Sequence, residues 1–165
     1  MDIVLKELSM DDGPEIYRML QEIGPGENGF MNEGYLPQDK FKLFLKWYAG
    51  ASKGVGLTEN LVPSTLYWLY VDGVPVGYGK LRHRLNDHLR KVGGHIGYVI
   101  RPTERGKGYG KLILKEMLAK ARAMGIGEVL MTCMQENAAS RKVIEANAGV
   151  LSNIEDGECY YWIKV

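Results

Sequence analysis

The stretch Arg101–Lys111 reads RPTERGKGYGK, and it decides how the rest of the chain is interpreted. Gly106, Gly108 and Gly110 stand at every second position between basic and polar side chains. Glycine lets a ligand approach the backbone without a Cβ in the way, and the amphipathic run that follows predicts a helix whose N-terminus attracts negative charge. The stretch therefore predicts a site for a phosphate or pyrophosphate. A plain turn that needs glycine for its dihedral angles is the alternative.

Two common phosphate-binding loops do not fit this stretch. A P-loop needs G-x-x-x-x-G-K-[ST], but Arg105 stands where its first glycine should be and Leu112 where Ser or Thr should be. A dinucleotide fingerprint needs G-x-G-x-x-G, and Lys111 occupies the position of its last glycine. The glycine-rich stretch must therefore belong to another class of phosphate-binding loop.

The flanking segments predict alternating strands and helices. Each assignment follows from alternating or continuous apolar residues for strands, and from apolar residues at helical spacing for helices. A helix over 10–24 has Asp11 or Asp12 as its N-cap, and Ile113, Leu114, Met117, Leu118, Ala121 and Met124 form the buried side of a helix over 110–125. Strands are predicted over 2–9, 64–72, 74–85, 93–102, 128–134 and in a hairpin over 150–165, and the other helices over 39–50 and 137–147. This order predicts a mixed sheet with helices on its faces.

The composition is that of a globular protein with almost balanced charge. The 165 residues include 21 Lys and Arg and 20 Asp and Glu, which predicts a single domain over residues 1–165 and gives no indication of a nucleic-acid partner. No apolar run is long enough for a membrane span and no secretory signal is visible, so we expect a cytoplasmic protein with Cys133 and Cys159 as free thiols. The Cys and His spacings of metal sites are absent, so no metal is predicted.

The glycine loop and its surroundings resemble the GNAT superfamily of N-acetyltransferases. The loop of that family reads R/Q-x-x-G-x-G/A, and Arg105–Gly110 matches every fixed position. The segment NAASRKVIEANAGV, residues 137–150, is similar to the motif in which an Asn opens the next helix. LRHRLN and GGHIGY resemble a bacterial branch of predicted acetyltransferases. The resemblance implies an α/β (α+β) fold, with a single mixed, mostly antiparallel sheet, about four flanking helices and a V-shaped splay between the fourth and fifth strands.

The resemblance also implies which residues bind acetyl-CoA, the expected cosubstrate. The pyrophosphate should bind the loop, and Lys111 should open the following helix. The backbone of Tyr98, Val99 and Ile100 should run beside the pantetheine and acetyl group, with Asn137 and Ser140 near the CoA arm; a plain N-cap is the alternative for Asn137. The loop residues concerned are Arg105, Gly106, Lys107, Gly108, Tyr109 and Gly110.

The implied chemistry is direct attack of a primary amine on the thioester in a ternary complex. A lysine-like amine has a pKa of about 10.4, so a base or a water chain must remove its proton. His95 is the candidate base and Glu33 the weaker alternative; a strand-end His bonded to backbone is the competing interpretation of His95. The family often places a proton-donating Tyr seven residues after the Asn, but Ile144 stands there, and we expect it on the face turned to the CoA sulfur with Asn137 and Ser140.

The acceptor is expected to be a small-molecule amine. Arg82 and Arg84, which share a strand face with Lys80, are candidates to grip a carboxylate, and Glu27 to attract a cationic amine; solvated surface charge is the alternative for each. A Cys133 nucleophile is a minor alternative. The rival function is a catalytically inactive domain that binds acyl-CoA as a sensor, for which the Ile144 departure is the supporting feature. Neither a nucleic-acid nor a membrane partner is expected, and a homodimer is left open.

Overall fold

Strands and helices alternate along the chain in the computed structural model, which describes residues 1–26, 32 and 34–165. The elements are β1 (Ile3–Glu7), α1 (Pro14–Ile23), α2 (Phe41–Ala51), β2 (Ser64–Val71), β3 (Val74–Arg82), α3 (Asp87–Lys91), β4 (Ile96–Ile100), α4 (Tyr109–Ala123), β5 (Glu128–Met134), α5 (Ala138–Ala146), β6 (Val150–Glu155) and β7 (Glu158–Lys164). The helices and strands predicted from apolar spacing are all present, and the short helix α3 is added to them.

The strands form two antiparallel sheets that meet between β4 and β5. One sheet has the order β1-β2-β3-β4 and the other the order β5-β7-β6. The β2–β3 hairpin turns at Asp72 and Gly73, both with positive φ (50° and 82°), as an Asp-Gly turn of type I′ requires. The predicted α/β class and the mostly antiparallel pairing are confirmed. The predicted single sheet is divided at the position where the splay was expected.

Two hydrophobic cores lie on opposite faces of the first sheet. Alternation along β2 turns Tyr67 and Leu69 towards α4, and Leu66 and Trp68 towards α1 and α2. Because both faces are covered, β2 is buried almost throughout, as its continuous run of apolar and β-branched residues predicts. The α4 core also contains β5 and β7, whereas the core under α1 and α2 is confined to the first sheet.

The predicted cap of α1 is wrong, because Asp12 has another role. Gly13 occupies the N-cap position without a side-chain hydrogen bond. The buried Asp12 carboxylate instead accepts hydrogen bonds from Trp68 Nε1 and from the Ser9 backbone N–H, both at 2.7 Å. This carboxylate therefore fixes the start of α1 to the middle of the sheet.

Two further predictions differ from the structure. The segment after β3, expected to extend the hairpin, forms α3, because the Asn86 side chain accepts a hydrogen bond from Leu89 N–H at 2.9 Å and caps a helix there. Met124 lies one residue beyond α4 and is exposed, so it does not belong to the buried side of that helix.

We predict that Gly94→Ala destabilises the fold more than Gly73→Ala does. Both glycines have positive φ, but a Cβ on Gly94 would lie 2.2 Å from the Leu130 carbonyl oxygen, whereas a Cβ on Gly73 meets nothing within 4 Å. Gly73→Ala should cost about 1–2 kcal/mol of unfolding free energy through strain alone, and Gly94→Ala about 2–5 kcal/mol because overpacking is added. Denaturant unfolding measures both, and equal losses would contradict close packing at the junction of the sheets.

Candidate active site

A cleft of about 360 Å³ opens beside β4, the glycine loop and the N-terminal ends of α4 and α5. Its lining contains every predicted CoA-binding residue except Lys107. The lining residues are Tyr98, Val99, Ile100, Glu104, Arg105, Gly106, Gly108, Tyr109, Gly110, Lys111, Asn137, Ala139, Ser140 and Val143. Segments about 40 residues apart in sequence are thus brought to one site, as the resemblance implies.

The glycine loop presents backbone rather than side chains to this cleft. Gly106 and Gly108 have φ of 78° and 83°, and a Cβ on either would meet nothing within 4 Å. Gly108 is also the N-cap of α4, where no side chain accepts the free N–H groups of the first turn. These N–H groups, with the helix dipole behind them, give the rim of the cleft a positive potential that suits an anionic oxygen.

The charged side chains of the loop differ in what they contact. Lys107 Nζ lies 2.7 Å from Glu104 Oε2 and is exposed. Glu104 lines the cleft and Lys107 does not, so the contact of Lys107 with the pyrophosphate stays a prediction. Arg105 Nε donates to the Ile100 carbonyl at 3.0 Å, which ties the loop back to the end of β4. Arg105 therefore helps set the position of the loop.

The two sheets are joined at His95, directly before β4. The His95 N–H donates to the Leu130 carbonyl at 2.8 Å, and Leu130 N–H donates to His95 Nδ1 at 2.9 Å. The imidazole thus takes the place that a backbone carbonyl would hold if the strands continued to pair. Within the described residues, no backbone hydrogen bond joins Ile96–Ile100 to β5, so the strands diverge from this point.

The same hydrogen bond bears on the candidate base. A neutral histidine that accepts at Nδ1 carries its proton on Nε2, so neither ring nitrogen has a lone pair left for a substrate amine. His95 is buried, and burial, followed by the positive charges of Arg82 and Arg90, lowers its pKa. This geometry favours the backbone-bonded histidine over the catalytic one. The alternative base Glu33 lies outside the described residues.

Asn137 caps α5 and lines the cleft at the same time. Its Oδ1 accepts from Ser140 N–H at 3.2 Å. Burial raises the pKa of the Tyr98 phenol, and the influence of the Ser140 side chain offsets this only in part. Tyr98, which lines the cleft, therefore stays protonated at neutral pH.

The expectation that Ile144 faces the CoA sulfur is wrong. Ile144 is buried in the core beneath α4, and Val143 lines the cleft instead. Asn137 lies outside the helix, with φ −80° and ψ 75°, so spacing counted from it does not give the helix face. Ser140 lies at the edge of the face that Ala139 and Val143 turn to the cleft, so the next turn after it leads to the core. Counting from Ala139 and Ser140 at i+4 and i+3 would have identified Val143. Glu104 also lines the cleft, and no pattern in the sequence predicts this.

The residues predicted to bind the acceptor do not share one location. Arg82 is partly buried at the end of β3, and its Nη1 donates to the carbonyls of Gly93 and Gly94 at 3.2 Å. Arg84 follows the strand and is exposed. This position agrees with the alternative interpretation, a solvated surface charge. Glu27, like Glu33, lies outside the described residues.

Cys133 has the properties of a core residue. It stands opposite Cys159 in the β5–β7 register, and both thiols are free and buried. Burial, with a smaller contribution from Cys159, raises the pKa of Cys133 to about 12. A thiol with this pKa is not a nucleophile at neutral pH, so the structure gives no support to a covalent intermediate on Cys133.

Neither metal sites nor membrane-spanning helices are found in the parts of the chain that the structure describes. Across residues 1–26, 32 and 34–165, no three His, Cys, Asp or Glu side chains group together as metal ligands would. No helix within those ranges combines the length and the apolar character needed to cross a membrane.

The model of the acetyltransferase (GNAT) family matches residues 16–150. No curated protein matches the chain. Among solved structures, a RimL ribosomal L7/L12 alpha-N-protein acetyltransferase in complex with coenzyme A is 14% identical, with a TM-score of 0.72 over 99% of this chain and 94% of that one. The Campylobacter jejuni N-acetyltransferase PseH in complex with acetyl coenzyme A is 12% identical, with a TM-score of 0.67 over 99% of both chains. A ribosomal-protein-alanine N-acetyltransferase from Brucella melitensis is 14% identical, with a TM-score of 0.66 over 98% of this chain and 99% of that one. At these identities the likeness establishes the shared fold.

We predict that His95 makes stability depend on pH in a defined direction. Because the folded protein lowers the pKa of His95, the unfolded state binds its proton first, and the stability that the neutral ring provides is present above about pH 6.5 and is lost as the pH falls below it. His95→Gln cannot be protonated, so its unfolding free energy should change less between about pH 7.5 and pH 5.

The matched control is His83→Gln. His83 also has a lowered pKa, caused first by burial, and its Nε2 lies 2.8 Å from the Thr65 hydroxyl in β2 and not against β5. Denaturant unfolding over the same pH range separates the two contributions. A profile for His95→Gln that matches the natural protein would contradict the role of a neutral His95 at the junction.

Proposed function

This chain belongs to the GNAT acetyltransferase family, and we propose that it transfers an acetyl group from acetyl-CoA to a primary amine by direct attack in a ternary complex. The observation that carries the proposal is the meeting of two features in one cleft. The glycine loop and the free N–H groups of α4 provide an anion site, and the unpaired edge of β4 continues from it.

The pyrophosphate of CoA fits the glycine loop on physical grounds. Gly106 and Gly108 leave open space over backbone N–H groups, and the first turn of α4 adds N–H donors without a side-chain cap. The Lys107–Glu104 pair is neutral as a unit, so attraction of the anion rests on the backbone, the helix dipole and the side chains of Arg105 and Lys111 that line the cleft.

The open edge of β4 provides polar backbone groups for the pantetheine. The Arg101 N–H donates to Val76 in β3 at 2.9 Å, so alternation turns the backbone of Val99 towards β3 and the backbones of Tyr98 and Ile100 towards the gap. Amide groups of the pantetheine can pair with these as an added strand would. An N–H on the same edge can polarise the thioester carbonyl and stabilise the oxyanion.

Protons must leave the amine and reach the departing sulfur. Within the described lining of the cleft, the carboxylate is Glu104, which is paired with Lys107, and His95 has no lone pair available, so we assign removal of the amine proton to water. Glu33 remains a proposed alternative. Tyr98 is the proposed donor to the sulfur, because its phenol is protonated and lies in the wall of the cleft.

The sensor hypothesis has lost its supporting observation. It depended on an isoleucine in place of an acid at the CoA sulfur, whereas Ile144 lies in the core and Tyr98 lines the cleft. We therefore keep catalysis as the function, with a small-molecule amine as acceptor in a cytoplasmic protein. The RimL structure belongs to an enzyme whose name gives a ribosomal protein as substrate, so protein N-termini belong in the first substrate screen.

We predict that Gly108→Ala weakens CoA binding whereas Gly125→Ala does not. The two glycines flank opposite ends of α4 with φ of 83° and 85°, and neither has a neighbour within 4 Å of a built Cβ, so the strain of substitution is matched. CoA at about a hundred times its dissociation constant should stabilise the natural protein by about 2.7 kcal/mol and raise Tm by about 5–11 °C.

Gly108→Ala should bind CoA at least about tenfold more weakly, a loss of about 1.4 kcal/mol from this stabilisation, because only its methyl group enters the cleft. Thermal unfolding with and without CoA measures the effect in both variants. Equal shifts in the two would remove the glycine loop from the binding site.

We predict that Tyr98→Phe lowers kcat by about tenfold, or about 1.4 kcal/mol, with CoA affinity unchanged. The loss should be modest because a thiol with a pKa near 8.5 can leave as the thiolate without an acid. Tyr109→Phe, which removes a hydroxyl from another residue of the same cleft, is the control and should keep its kcat. Release of the CoA thiol measures turnover. An equal loss in both variants would count against a specific role for Tyr98.

A further inference from the structure

A second cavity, of about 190 Å³, lies between the end of α2, the end of β3 and α3. Its walls combine aromatic, polar and cationic side chains. They include Trp47, Tyr48, Ser64, Lys80, Arg82 and His88. None of the described residues that line it is acidic, and its cationic side chains include Lys80 and Arg82.

This cavity and the CoA cleft approach β4 from opposite faces of the sheet. Lys80 stands opposite Gly97 in the β3–β4 register, and alternation puts it on the same face as Tyr78, which belongs to the core under α1 and α2. Tyr98 and Ile100 of the cleft belong to the opposite face. The diverging edge of β4 is where the two faces meet, so a molecule in the second cavity lies one strand away from the gap.

Arg82 is the residue that most needs an anion in this cavity. Its guanidinium is partly buried, and burial lowers its pKa, which means that the protein disfavours the charge it carries. Its hydrogen bonds go to the neutral carbonyls of Gly93 and Gly94, and none of the described carboxylates forms an ion pair with it. A bound carboxylate would offset the cost of burying this charge and could accept two parallel hydrogen bonds from the remaining N–H groups.

Lys80 and Tyr48 extend the same recognition surface. Lys80 Nζ lies 3.3 Å from the Tyr48 hydroxyl and 5.1 Å from the centre of its ring, which holds the ammonium at the cavity wall. Trp47 lies edge-on to Tyr48, with ring centroids 4.8 Å apart. The wall therefore offers cations for an anionic group beside aromatic faces for the carbon skeleton of a small molecule.

We propose that this cavity binds the acceptor and selects primary amines that also carry a carboxylate. The inference rests on the proposed acetyl transfer, which supplies the reason for an amine. The carboxylate binds Arg82 and Lys80, the skeleton packs on Tyr48 and Trp47, and the amine extends along β4 towards the gap. The nitrogen lone pair then forms the new bond to the acetyl carbon as the bond from that carbon to the CoA sulfur breaks.

The test compares matched acceptors that differ only in charge. Amino acids and their carboxamides form such pairs, and release of the CoA thiol gives kcat/KM for each member. The natural protein should prefer the carboxylate member by at least about tenfold. Arg82→Gln and Lys80→Gln should remove most of that preference, with a much larger fall in kcat/KM for the acid than for the carboxamide. Lys80→Gln keeps the Arg82 hydrogen bonds to Gly93 and Gly94 intact, so it covers the case in which Arg82→Gln does not fold.

Arg90→Gln is the control, because Arg90 is an exposed cation on α3 that does not line the cavity. Equal use of acids and amides by the natural protein, or an equal loss in Arg90→Gln, would overturn the inference while acetyl transfer stands. If no amine is turned over, the proposed function fails. Calorimetry with the N-acetylated amino acids then still tests whether the cavity binds a carboxylate. Binding to the natural protein that is lost in Lys80→Gln supports the site, and absence of binding overturns it.

Discussion

The pair of hydrogen bonds between His95 and Leu130 is the constraint on which the arrangement of the site depends. One residue satisfies both backbone groups of Leu130, one with its N–H and the other with its ring. The ladder between the sheets can therefore stop there without leaving a buried polar group unpaired. Beyond it β4 keeps β3 as its partner on one side, and its other edge is available to a ligand. Gly94 makes this possible, because the Leu130 carbonyl occupies the place of a side chain.

In the proposed function, the two substrates approach β4 separately from that junction. The proposed donor side is formed by the glycine loop, α4 and α5, whose helix N-termini favour anionic oxygen. The proposed acceptor side lies between α2, the end of β3 and α3, where cationic side chains stand among aromatic rings. Arg82 links the acceptor side to the junction of the sheets, since its hydrogen bonds to Gly93 and Gly94 also hold the turn that leads into His95.

The sequence predicts local structure and the donor site better than it predicts contacts between distant segments. The glycine loop, the Asn137 cap and the apolar spacing of α4 are local signals, and they identify the fold and most of the lining of the cleft. The role of His95 depends on a partner 35 residues away, which no local pattern reveals. Asp12 likewise has the sequence position of a helix cap but bonds Trp68. Ile144 was misplaced because Asn137 lies outside the helix that it caps.

The alternation of β2 between two cores has a consequence for how specificity can change. Leu66 and Trp68 belong to the core under α1 and α2, whereas Tyr67 and Leu69 belong to the core that includes α4. The first core is nevertheless coupled to the cleft, because its member Val99 also lines the cleft. Substitutions around Val99 are therefore expected to act non-additively with changes in the cleft. A change of acceptor specificity made through this core has to be followed by its effect on the acyl donor as well.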